Sequence, residues 1–74
     1  MKTAFAIKDS MPVELSDFNF QITDEGEIES LRLEMENPYS LETAKDIKAV
    51  LDNYFEDYIL NLSPMQGGVR VRVR

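Results

Sequence analysis

Phe18, Phe20 and Ile22 alternate with Asn19, Gln21 and Thr23, a period of two with strong strand formers on one side. The pattern predicts a half-buried strand. Asp24-Glu25-Gly26 follows, and a three-residue hairpin loop with glycine in the left-handed position would turn the chain into a second strand, Ile28 to Met35. In that strand Leu31, Leu33 and Met35 alternate with Arg32 and Glu34. Ile28 falls on the opposite parity, so either the strand carries a bulge or Ile28 belongs to the hairpin tip. Upstream, Thr3-Ala4-Phe5-Ala6-Ile7-Lys8 is a short apolar run, read as a first strand with Phe5 and Ile7 on one face. Pro12 makes Met11 to Leu15 an extended connection or an edge segment, because proline cannot donate to a ladder.

The period then changes. Asn37-Pro38-Tyr39-Ser40 is a break and a helix start, with Ser40 the better N-cap and Glu42 in the first turn, where the helix dipole favours an acid. Asn37 at the cap with Pro38 at the first helical position is the alternative. Leu41, Ala44, Ile47, Leu51, Tyr54, Phe55, Tyr58, Ile59 and Leu62 recur at spacings of three and four, which predicts one amphipathic helix from Leu41 to Leu62. Ser63-Pro64 would stop it and Gly67-Gly68 would let the chain reverse. Val69, Val71 and Val73 then alternate with Arg70, Arg72 and Arg74 as a final strand. The expected fold class is α+β: a small antiparallel sheet of three to four strands packed on one long amphipathic helix, in the order β-β-β-α-β. Residues 1 to 74 show no repeat or linker and read as a single small acidic domain.

Composition narrows the chemistry. The sequence has no His, Cys or Trp. Thiol nucleophiles, iron–sulfur clusters and the usual zinc sites therefore lack their ligands, and a chain of this size can scarcely enclose a pocket for carboxylate or lysine catalysis. The expectation is a protein that is not an enzyme and carries no cofactor and no metal. Asp24, Glu25, Glu27 and Glu29 lie at a hairpin tip, where alternate positions point apart and specify no closed oxygen cage. The absence of cysteine, and an N-terminal apolar run that meets charge at Lys8 and Asp9 too early for a signal peptide or a membrane span, favour a cytoplasmic site and no membrane partner.

Charge then directs attention to partners. Fourteen acidic against eight basic residues give a net charge of -6. On the predicted helix Glu42, Asp46, Asp52, Glu56 and Asp57 fall within one sector, which Lys45 interrupts, and Asp24, Glu25 and Glu27 add acids at the hairpin. Most such faces only keep a small protein in solution. The sharper reading is an acidic surface that occupies a basic, nucleic-acid-handling groove of another protein through steering and pairing with Lys and Arg.

The alternative interface is Val69, Arg70, Val71, Arg72, Val73 and Arg74. As an edge strand it could pair with a second copy or join a larger complex by main-chain hydrogen bonds, which makes homodimerisation the competing expectation. Its arginines could instead pair internally with Glu29 or Glu34, and direct nucleic-acid binding through them is disfavoured by the acidic field of the chain. Tyr54, Phe55 and Tyr58 read first as core, with the two hydroxyls reaching solvent or a partner. In size, charge and missing chemistry the sequence resembles the small acidic proteins that phages and mobile elements direct against host nucleic-acid enzymes, anti-CRISPR proteins among them. That resemblance implies a non-catalytic inhibitor.

Overall fold

In the computed structural model, which describes residues 2–74, the chain runs α1 (Lys2–Asp9), β1 (Asp17–Ile22), β2 (Ile28–Glu34), α2 (Leu41–Asp52), β3 (Tyr58–Ser63), a 3-10 turn (Pro64–Gln66) and β4 (Gly68–Val73). The four strands form one antiparallel sheet in the order β1-β2-β4-β3. The α+β class holds, but two predicted elements change type.

The first is the N-terminal run. Residues 3 to 8 are helical in α1, with Ala4 and Ile7 wholly buried and Phe5 about half exposed, its ring edge-on to Phe20 at 6.3 Å. Two alanines in six residues disfavour a strand, and the spacing of three from Ala4 to Ile7 is the helical signal. The connection that follows bends at Pro12, Val13 and Ser16 rather than running extended, and tucks Met11, Val13 and Leu15 against the core.

The second is the long helix. It stops at Asp52, with Asn53 as its C-cap, and Tyr58-Ile59-Leu60-Asn61-Leu62 forms strand β3. A helix from 41 to 62 would be about 33 Å long at 1.5 Å per residue. Strands of this length span about 20 Å, so its far end would overhang the sheet with its apolar stripe uncovered. Folded back as β3, the same residues pair Tyr58, Leu60 and Leu62 with Val73, Val71 and Val69. The order is therefore α-β-β-α-β-β, and the C-terminal strand β4 is interior rather than at the edge.

Local signals elsewhere act as their chemistry suggests. Ser40 is extended (ψ 167°) and its hydroxyl accepts the Thr43 amide at 3.2 Å, capping α2. The Thr23 carbonyl accepts the Gly26 amide at 2.9 Å and Gly26 has φ 81°, the left-handed glycine expected of a three-residue hairpin loop. The parity conflict at Ile28 is resolved by a bulge: Gln21 pairs with Ser30 but Ile22 with Ile28, so Glu29 is the extra residue and Ile28 turns into the core.

Both helices cover one face of the sheet. The core there is Leu31, Leu33, Val69 and Val71 of the central strands under Ala4, Ile7, Ile47 and Leu51 of the helices. Two cross-strand rows run through it, Phe18, Leu33, Val69, Leu62 and Phe20, Leu31, Val71, Leu60. Every intervening residue points to the other face, which no element among the described residues covers.

Candidate binding surfaces

The antiparallel topology decides where the acids gather. β2 begins beside the β1–β2 hairpin, β4 ends beside the start of β2, and β3 begins opposite Val73 at the end of β4. The hairpin tip and the α2–β3 corner thus lie at the same end of the sheet. Asp24, Glu25 and Glu27 come from the tip, and Asp52, Glu56 and Asp57 from the corner, all exposed. The predicted helical sector is divided by this. Glu56 and Asp57 sit in the connection after α2 rather than on a helix, while Glu42 and Asp46 lie on the exposed side of α2 interleaved with Lys45 and Lys48. Two of the five helix-sector acids are therefore separated from the other three.

Inside the acidic end one cluster is structured. Asp52 accepts a hydrogen bond from the Tyr58 hydroxyl at 2.6 Å through one oxygen and from Lys48 at 3.0 Å through the other. The Tyr58 bond first, then Lys48, holds the Asp52 carboxyl below the usual carboxylate range. Burial, and then the adjacent Asp52 carboxylate, pushes the Tyr58 hydroxyl up to about 12. This pair escapes a helical reading of the sequence, because six residues on a helix place the two side chains on different faces. Tyr54, the other aromatic expected to offer its hydroxyl, meets Ser10 at 3.2 Å. Asp57 receives the Arg74 amide on its carbonyl at 3.3 Å and lies 4.0 Å from the Arg74 guanidinium, an exposed and weak pair.

The uncovered sheet face is net basic, its arginines outnumbering the two acids that share its parity, Asp17 and Glu34. Register places Asn19, Arg32, Arg70 and Asn61 in one row across it and Gln21, Ser30, Arg72 and Ile59 in the next. Arg74 continues the parity of Arg70 and Arg72, so all four arginines of the sequence belong to this face. Arg32 and Arg70 are direct cross-strand neighbours, a like-charge pairing that costs stability. Arg32 is held by Glu34, its Nε and Nη2 donating to one carboxylate oxygen at 3.1 and 2.6 Å. Among the described residues Arg70 and Arg72 have no ion-pair partner. Internal pairing of the C-terminal arginines with Glu34 or Glu29 is thus corrected for these two: Glu34 is taken by Arg32. Arg32 was legible as outward-facing from its alternation, but its place beside Arg70 depends on β2 and β4 being neighbours, and Asn61 was hidden by the helical reading of 58 to 62.

The edge-strand role expected of Val69 to Arg74 is also corrected. β4 is bonded to β2 on one side and β3 on the other, and Val69 and Val71 are buried under the helices. Any strand addition would have to use β1 or β3. No helix among the described residues is long and apolar enough to cross a membrane, and no cluster of three or more acidic side chains among them is arranged to hold a metal ion. No protein-family model matches the chain, and neither curated proteins nor solved structures show significant similarity to it.

Proposed function

We propose that the chain is a non-catalytic binding protein whose acidic end occupies a basic, nucleic-acid-handling surface of another protein, and so acts as an inhibitor of that partner. The observation that carries the reading is the convergence of two separate acidic segments, Asp24-Glu25-Gly26-Glu27 and the Asp52, Glu56, Asp57 corner, at one end of the sheet. Six carboxylates presented there, with Lys48 and Arg74 the cations paired to them among the described residues, make a local field that steers toward Lys and Arg. Glu42 and Asp46 take no part in this version. The polar outer surfaces and the absence of any imidazole or thiol support a binding role over catalysis.

The test is affinity capture from cells of the source or its host, at low and high salt, with the native chain and with Asp24→Lys, Glu25→Lys, Asp57→Lys combined. The expected result is a nucleic-acid-binding protein that is retained by the native chain, released by salt, displaced by duplex DNA and not retained by the variant. A partner held equally by the charge-reversed variant sinks the proposal. The competing reading, an accessory subunit joined through β4, has lost its main-chain route because both edges of that strand are already paired.

A further inference from the structure

The arginine face is not needed for the acidic end to work, and its charge pattern asks for a partner of its own. We infer that the uncovered sheet face is a second binding surface, whose occupant is an extended peptide segment of another protein with acidic residues at alternate positions. Three observations lead there. First, Arg70 and Arg72 present guanidiniums with no ion-pair partner among the described residues, and Arg70 is set beside Arg32 at an energetic cost that an arriving carboxylate would relieve. Second, alternate residues of any strand repeat at about 6.8 Å, so an extended ligand lying along β4 brings its alternate carboxylates over Arg70, Arg72 and Arg74 in register. Third, the row through Arg32 and Arg70 ends in an amide on each side, Asn61 and Asn19, the latter already donating from Nδ2 to Asp17 at 3.1 Å. An amide side chain both donates and accepts, as a peptide backbone requires.

A single-stranded nucleic acid fits less well. Sheet surfaces that bind such strands stack bases on aromatic rings, and here Phe18, Phe20 and Tyr58 all point to the helix side, leaving Ile59 the apolar residue of the outer rows. A polyanion longer than the roughly 20 Å strand would also run into the acidic end. A second copy placed face to face would oppose arginine with arginine.

The experiment uses the full chain and two synthetic probes, a ten-residue Glu-Thr alternating peptide and a peptide of the same composition with its glutamates in adjacent pairs. A single-stranded oligonucleotide of matching charge is the third probe, and binding is followed by fluorescence anisotropy at low salt. The alternating peptide is expected to bind best, and Arg70→Gln with Arg72→Gln to weaken it about tenfold, as loss of charge-assisted hydrogen bonds at two sites predicts. Both positions are exposed, and an unchanged circular dichroism spectrum certifies that the variant is folded. The triple reversal at Asp24, Glu25 and Asp57 should leave peptide binding intact or strengthen it, which separates this surface from the acidic end. Equal binding of both peptides, tighter binding of the oligonucleotide, or no effect of the arginine changes would each overturn the inference.

Discussion

Gly67 combines two constraints that Gly26 and Gly68 do not. Its φ is 71°, and a β-carbon there would run into the backbone carbonyl of Met35, whose own amide donates to the Gly67 carbonyl at 2.7 Å. The turn into β4 thus needs both left-handed backbone and the missing side chain. Gly67→Ala should cost about 2–4 kcal/mol, combining the left-handed penalty with a clash that backbone atoms cannot relieve. Gly26 has φ 81° but nothing within 4 Å of the site of a β-carbon, so Gly26→Ala should cost only about 1 kcal/mol. Urea denaturation of the two variants checks the ranking, and equal losses would refute the account.

Tyr58 and Asp52 give a residue-level prediction in pH. Tyr58 ionises at the ordinary tyrosine value of 10.0 when unfolded but only at about 12 when folded, so between those values the unfolded chain gives up its proton first. Stability should therefore be fully present below about 10 and fall as pH rises toward 12. Asp52 has the opposite sign: its carboxyl is lowered, so the stability it supplies is present above the ordinary carboxylate value and is lost as pH falls through the depressed one. Tyr58→Phe removes the hydroxyl that acts on both. The alkaline loss should shrink, with Tyr39, raised chiefly by burial, supplying part of what remains. The Asp52 titration seen by carboxyl NMR should move up toward the usual range. A variant with an unchanged Asp52 titration would show that the 2.6 Å bond does not persist in solution.

Among the elements, β4 carries the most. Val71 lies between Leu31 of β2 and Leu60 of β3 and is almost wholly buried. Val71→Pro would remove a ladder donor in the middle of the sheet and strain the strand on which both neighbours depend. The expected outcome is loss of the folded state, read as loss of cooperative thermal unfolding by circular dichroism. A folded variant with normal cooperativity would contradict the interior placement of β4. The capped helix α2 is less exacting, since its N-terminus is held by a local Ser40 bond and its packing by Ala44, Ile47 and Leu51. The bulge at Glu29 lets one strand bury Ile28 as well as Leu31 and Leu33 while Arg32 stays outside.

On the scale of the whole molecule, charge is partitioned by topology. Six of the fourteen acids converge at one end, all four arginines share the open sheet face, and the lysines at 8, 45 and 48 lie on helices. A net charge of -6 therefore conceals a cationic surface. The two surfaces respond to different variants: charge reversal at Asp24, Glu25 and Asp57 tests the acidic end, and neutralisation of Arg70 and Arg72 tests the sheet. A molecule in which both tests succeed would bridge a basic surface and an acidic segment, and salt would weaken both contacts.

Much of this was legible in the chain itself. The alternation in Phe18 to Ile22, Leu31 to Met35 and Val69 to Val73, the glycine of the first hairpin and the Ser40 cap all specify local structure, because backbone sterics and short-range hydrogen bonds act within a few residues. The absence of imidazole and thiol chemistry is likewise a property of composition alone. Tertiary structure decided the rest. Tyr58 to Leu62 satisfies a helical period and a strand period alike, and only the valines of β4 waiting on the other side of the Gly67 turn make the strand the better burial. The same pairing placed β4 inside the sheet, set Arg70 beside Arg32 and brought Asp57 to the end that holds Asp24. Those neighbours are far apart in sequence, and their contacts depend on strand order, which no local periodicity encodes.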